Sequence, residues 1–334
     1  MRFHSFRAQS TLLILLSAAT LILAWWSLTI GTATIPLGSV LDALLSHGDT
    51  RDDIIVWAIR LPRAAAAIVV GASLGVAGAI MQAVTNNPLA SPDLLGVSAG
   101  AAFAVVVSIV FFNASSPTVF LWVAFAGGGI AGMLVYAIGS VGAGGATPVK
   151  LALSGAVLSI FLGSLSASLL IFDLKAIDTI RLWSMGSLAG REGHAVAVAA
   201  PFALVGIAGA LVLARELGTA SLGTNLAQAV GQNVALWRSI FGGLVIVIAG
   251  SAVALAGPIG FVGLVVPHIV RLTVSSDFRW RLPFCAVGGA FLVVVADSLQ
   301  RYLTDVDVPV GVTLALVGAP FFIWLARSRS REMA

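Results

Sequence analysis

Gly71-Ala-Ser-Leu-Gly-Val-Ala-Gly-Ala-Ile80, running on to Pro88, is the stretch that decides how this chain is read. Its landmarks return once. Gly71, Ala77, Gly78, Ile80 and Pro88 recur as Gly250, Ala256, Gly257, Ile259 and Pro267, each 179 positions later. Both copies lie in strongly apolar sequence. If an odd number of membrane crossings separates them, the copies run in opposite directions. Inverted repeats of this kind build transporters whose two halves rock around a shared pathway.

Composition sets the solvent. Hydrophobic residues make up 59% of the 334 residues and charged ones only 10%, against about 25% charged in soluble domains. Mean hydropathy is +1.05. The apolar residues form long runs, such as 11–26 and 240–256, not the alternating segments of about ten residues that a strand-built barrel shows. A spanning helix needs about 20 residues. The reading is an all-α polytopic membrane protein with about ten transmembrane helices and an inverted internal repeat. The crossings fall near 10–30, 64–84, 95–112, 118–139, 149–172, 194–214, 236–256, 258–272, 283–303 and 310–326. The eighth is short for a full crossing. Arg2 and Arg7 precede the first run without a convincing cleavage site before Trp25-Trp26, so that helix is read as retained.

Ten crossings put both termini on one side. With the termini inside, eleven Lys and Arg residues fall inside and seven outside, as the positive-inside rule asks. The second and seventh crossings, which carry the two copies, then point in opposite directions. The net charge of +4 is spread along loops and does not indicate nucleic acid. In the first external loop, Leu37, Val40, Leu41, Leu44 and Leu45 follow helical spacing. Pro36 suits the start of that helix and Gly48 its end, and it is placed flat on the outer interface. The external stretch 173–193 holds Trp183 among charges and reads as a second interfacial element. The internal loop 217–234 carries a short helix that Thr224 can cap and Gly231 can end. Gly71-x-x-x-Gly75 and Gly128-x-x-x-Gly132 indicate close helix packing.

Much chemistry is missing. Neither lysine, Lys150 or Lys175, completes a Walker phosphate loop, so any ATP that drives this protein binds another chain. The crossings hold almost no ionisable residues, unlike those of ion-coupled secondary transporters. Asp297 lies four residues from Arg301, and local pairing is its natural role. His268 reads as packed or capping. His4, His47 and His194 are scattered, no metal-ligand cluster can be read from spacing, and Cys285 stands alone as a small buried residue.

An ordered set of motifs resembles a known family. Arg60-Leu-Pro-Arg63 is followed by Gly71 to Gln82 and by Asn87-Pro-Leu-Ala-Ser-Pro-Asp-Leu-Leu-Gly96. Then come Trp183-Ser-Met-Gly-Ser-Leu188 and Gly257-Pro-Ile-Gly-Phe-Val-Gly-Leu-Val-Val-Pro-His-Ile-Val-Arg271. Pro309-Val-Gly311 and Gly318-Ala-Pro-Phe-Phe-Ile-Trp-Leu325 close the set. Together they resemble the permease subunits of ABC importers for iron–siderophore, haem and cobalamin, and they span nearly the whole chain. The resemblance implies a single transmembrane permease domain over 1–334 in a bacterial inner membrane, with repeat halves 64–172 and 236–326. It implies a second permease copy or paralogue and two cytoplasmic ATPase subunits that hold ATP and magnesium. It implies a periplasmic or lipid-tethered binding protein that delivers the ligand. An iron–siderophore complex is the expected cargo, with haem or cobalamin the alternative, and no cofactor or catalysis is expected on this chain.

Site residues follow by position. Arg60, Arg63 and Arg301 match the external arginines that dock acidic residues of the binding protein. The loop 217–234 matches the coupling helix that fits the ATPase, with Gly223, Thr224, Ala227, Gly231 and Asn233 as its landmarks. Thr224 and Asn225 stand where the family often has an acid. Asp307 replaces the glutamate common before Pro-x-Gly. Thr147 and Pro148 match the region that narrows the cytoplasmic end of the pathway.

Overall fold

In the computed structural model the regular structure among the described residues is helical. The structure describes residues 6–332 except 32–33, 47, 49, 143–144, 173 and 305. Arg2, His4, His47 and Asp173 therefore lie outside the described residues, as do the side chains of Lys175, Arg327, Arg329 and Arg331. The helices are α1 (Phe6–Ser27), α2 (Leu37–Ser46), α3 (Arg51–Ile55), α4 (Leu61–Thr85), α5 (Val97–Phe112), α6 (Pro117–Ser140), α7 (Pro148–Leu170) and α8 (Leu174–Ser184). They continue with α9 (Gly193–Val212), α10 (Ala214–Ala220), α11 (Thr224–Ala229), α12 (Val234–Ala256), α13 (Val262–Thr273), α14 (Phe278–Leu303) and α15 (Val310–Glu332). A π turn, Val56–Arg60, joins α3 to α4 without a break, and a 3-10 turn, Pro92–Leu95, precedes α5.

Local chemistry sets the ends. Thr50 and Asp53 form a reciprocal capping box on α3. Pro117 and Pro148 occupy first-turn positions of α6 and α7, where the missing N–H costs nothing. Asn233 and Asp277 accept backbone N–H bonds at the starts of α12 and α14. Among the described residues, seven helical stretches are long and apolar enough to cross a membrane: 6–27, 51–85, 117–140, 148–170, 193–212, 234–256 and 278–303. Three shorter apolar helices, Val97–Phe112, Val262–Thr273 and Val310–Pro320, fall at the other expected crossings.

α4 is the hub, buried over 78% of its most apolar window, whereas α1 and α7 are peripheral. It packs on α14, α12, α13 and α9. A Cβ on Gly71 would run into the Gly289 backbone, and one on Gly75 into the Cys285 carbonyl. The pairs 63/297, 71/289 and 75/285 keep step in opposite directions, so α4 and α14 are antiparallel. α1 runs with α14, since Phe6 meets Trp280 at one end and Arg301 bonds the Ser27 carbonyl at the other. Val84, near the end of α4, shares a small cavity with Val234 and Trp237 at the start of α12.

Several expectations change. The second crossing extends back to Arg51 as one helical run. The eighth is helical only from Val262, because Gly257 (φ 76°), Pro258 and Phe261 (φ 67°) hold the preceding segment out of the helix. The two motif copies thus fold differently, since Gly78 lies inside α4 while Gly257 ends α12. The apolar residues of α2 do not form one face. Val40 and Ala43 are buried against Leu28, Ile35, Val56 and Ala64, while Leu37, Leu41 and Leu45 point outward. Trp183 is buried in the core rather than exposed among its charged neighbours. Its segment is pinned where Ser187 N–H bonds the Ala256 carbonyl at 2.8 Å and Gly311 N–H bonds the Gly186 carbonyl at 3.0 Å. Thr224 does not cap α11. Gly223 occupies the cap position at φ 94°, and the Thr224 hydroxyl serves Arg238 instead.

Because backbone atoms oppose Gly75, its neighbours have little room to yield. Gly75→Ala is expected to destabilise the detergent-solubilised protein by about 1–3 kcal/mol, the range for overpacking. Gly129→Ala, which meets no atom within 4 Å, is the control. Thermal midpoints of the two variants check this.

Candidate functional site

The three sequence-predicted arginines converge on one end of the α4–α14 pair. Arg60 ends the π turn, and its Nη1 donates to the Leu28 carbonyl at 2.5 Å. Arg63, near the start of α4, forks between two carboxylates. Its Nη2 donates to Asp297 Oδ1 at 2.8 Å and to Asp307 Oδ1 at 2.7 Å, while Nη1 reaches Asp307 Oδ2 at 2.9 Å. Arg301 pairs with the second Asp297 oxygen at 3.0 Å. It also donates to the Ser27 and Ile30 carbonyls at 3.1 and 2.9 Å.

These guanidiniums are not free-standing surface charges. Arg60 is 5% exposed and Arg63 7%, and the Asp297 side chain is 2% exposed. Such a buried network tolerates replacement as a unit but not the loss of one member, which typically costs about 3–5 kcal/mol. Inside one depression the bases outnumber the acids, while Asp42, Asp52 and Asp53 gather with Arg51 beside it. Arg51, Arg60, Arg63, Arg301 and Asp307 all line this depression of about 220 Å³, with Asp297 beneath. The Asp307 side chain is 45% exposed and forms the accessible rim of the network. Burial pushes its carboxyl up, but bonds and charge from Arg63, Gln300 and Arg301 outweigh that and hold it below the usual carboxylate range. Gln300 steadies this rim by donating to Asp307 at 3.3 Å and accepting from Val308 N–H at 2.9 Å.

The remaining candidates gather elsewhere, around α10, α11 and the start of α12. Ala227 is buried beneath α11, while Leu222, Leu226 and Val230 are 54%, 60% and 66% exposed. Leu226 and Val230, four residues apart, share one face of α11 and its C-cap, and Leu222 lies just before the helix, across Gly223. Gly231 turns the chain at φ 86°, Gln232 Nε2 donates to the Glu216 carbonyl at 2.8 Å, and Asn233 caps α12. Thr147 caps α7 by accepting from Lys150 N–H at 3.3 Å, and Pro148 opens that helix. Arg238 of α12 reaches both neighbourhoods, donating to Thr224 Oγ1 at 2.8 Å and to the Ala146 carbonyl at 3.4 Å.

Three participants were not singled out from sequence in these roles. Asp297 was read only as a local partner of Arg301, and its bond to Arg63 spans 234 positions. Asp307 was noted as a substitution, without a partner. The exposed stripe Leu222, Leu226 and Val230 was readable as apolar residues in a loop predicted to lie outside the membrane. His268 is packed inside α13, with Nδ1 3.4 Å from Arg271 Nη2. Among the described residues, His, Cys, Asp and Glu form no group of three able to hold a metal ion.

The chain is 40% identical over 330 residues to the Fe(3+)-citrate import system permease protein YfmD of Bacillus subtilis, covering 97% of this chain and 98% of that one. It is 40% identical over 320 residues to the ferric enterobactin transport system permease protein FepD of Escherichia coli, covering 96% and 95%. Its fold matches the solved inward-facing conformation of a metal-chelate type ABC transporter with a TM-score of 0.81, at 28% identity and over 96% and 99% of the two chains. The FecCD transport family matches residues 19–328. A family match over most of the chain and likeness along nearly its full length to these permeases place it: the chain belongs to the FecCD transport family.

Proposed function

We propose that this permease subunit moves intact iron–siderophore complexes inward through an ATP-driven importer by alternating access. The observation that carries the reading is likeness along nearly the full length to permeases of ferric citrate and ferric enterobactin import. The chain works with a second permease copy or a paralogue and two cytoplasmic ATPases. A binding protein outside delivers the ligand.

Ten crossings with both termini inside is the topology we propose. The order of helices supports a repeat. α4, α5 and α6 run long, short, long, and so do α12, α13 and α14. Packing supports it too, since α4 contacts α13 and α14 while α12 contacts α5 and α6. The meeting of the end of α4 with the start of α12 fits opposed halves 64–172 and 236–326.

In this reading the arginine depression faces outward and docks carboxylates of the binding protein. Guanidinium–carboxylate pairs add geometric specificity, and surplus positive charge steers encounter. The stripe on α11 is the ATPase contact, because an exposed apolar patch outside the membrane marks a protein interface. The turn at Thr147 and Pro148 narrows the inner end of the pathway. An ion-coupled mechanism is disfavoured, since Asp297 is neutralised by two arginines.

Three results are expected. Asp307→Asn raises the surplus charge without emptying the buried core of the network, so the binding protein should associate a few-fold faster at low salt, and the gain should fade as salt is raised. Stopped-flow association checks it, and a slower rate would count against docking here. Leu226→Glu places a charge in the stripe and should cost tenfold or more in ATPase affinity, about 1.4 kcal/mol, read by co-purification and titration. The captured binding protein should carry a ferric chelate by mass spectrometry, and haem or cobalamin in its place would change the cargo. Proteoliposomes holding the chain without its ATPase should accumulate none of it.

A further inference from the structure

Arg238 stands between the two candidate regions at the inner end. Its Nη2 donates to Thr224 Oγ1 at 2.8 Å, and Thr224 is the first residue of α11. Its Nη1 donates to the carbonyl of Ala146 at 3.4 Å. Ala146 immediately precedes Thr147, whose hydroxyl caps α7. One planar guanidinium therefore touches the first residue of one helix and the residue before the cap of another, a reach that its rigid fork of donors suits and a single ammonium does not.

The surroundings stiffen this link. Next to Arg238, the Ser239 hydroxyl lies 2.6 Å from the Tyr136 hydroxyl of α6. Lys150 Nζ of α7 donates to the Val141 carbonyl at 3.0 Å, closing the turn between α6 and α7 on itself. In that turn Gly142 and Gly145 adopt φ of 83° and 62°, conformations in which other residues would be strained. The helix dipole does not explain Arg238. A cation near a helix N-terminus gains nothing from the helix dipole, and its bond to Thr224 is solvent-exposed.

We propose that Arg238 is the positioning residue that links α11 to the gate turn, so that displacement of α11 by the ATPase is delivered to the start of α7. The proposal rests on the reading of 217–234 as the coupling segment. The test uses the assembled permease–ATPase complex, with Cys285→Ala as background so that only introduced cysteines are labelled. Spin labels at Asn225 on α11 and at Val149 beside the gate turn, both exposed, are each paired with one at Leu204 on α9. Distances are measured without nucleotide and with ATP and vanadate. In the parent complex both distances should change. Arg238→Gln should keep the change at Asn225 and lose the one at Val149. Thr224→Val, which removes the hydroxyl and keeps the volume, should do the same and carries the test if Arg238→Gln does not assemble. A Val149 change that survives in an assembled variant overturns the link. So does loss of both changes together, which marks a merely structural role. A parent complex whose Asn225 distance ignores nucleotide overturns the coupling reading itself, and the link with it.

Discussion

The close approach of α4 and α14 is the constraint on which the rest of the structure depends. Gly71, Gly75 and Gly289 let two backbones touch where side chains would hold them apart. In a membrane this contact is not driven by expulsion of water, because lipid tails are as apolar as leucine. It rests on van der Waals packing and on the few polar bonds available. The glycines supply the first and the Arg63–Asp297 bond supplies the second. Both share one register, so a shift that spoils one spoils the other. That coupling fixes where Asp307, Arg301 and Arg60 stand.

A second constraint is local. Phe261 holds a left-handed backbone conformation that bulky residues rarely adopt, and its ring fills the space a Cβ on Gly318 would need. Strain of this kind persists only where surrounding packing over-determines it. Here it separates α12 from α13 and frees the Ala256 carbonyl to bond Ser187. Three motifs that are far apart in sequence, around Trp183, Gly257 and Gly311, are joined at that break.

Much of the fold was legible because hydrophobic runs and helix-capping chemistry are local. The apolar stretch 236–256 announces its helix without help, and Pro148 and Asn233 carry local start signals of the same kind. The glycine spacing at 71 and 75 announced close packing, though not its partner. Tertiary pairing was not legible, since nothing in the spacing of Arg63 and Asp297 points across 234 residues. Trp183 was misplaced because charged neighbours in sequence suggested water, while helical periodicity with Ala176 and Ile180 turned it inward. Thr224 was a reasonable cap by residue type, but Gly223 before it took the position.

The uninterrupted run from Arg51 to Thr85 has a consequence for height. Thirty-five helical residues extend roughly 52 Å at 1.5 Å each, while the hydrocarbon layer is about 30 Å thick. The excess, about 20 Å for an upright helix and less with tilt, emerges from the apolar slab. The capping box and the arginines lie at one end of this rod, so that end emerges. The guanidinium cluster is thus lifted into the headgroup layer, where charge is tolerable, and Arg51 rises above it. The helix that binds the core together also acts as a stand-off post, setting how far from the bilayer anything resting on those arginines will sit.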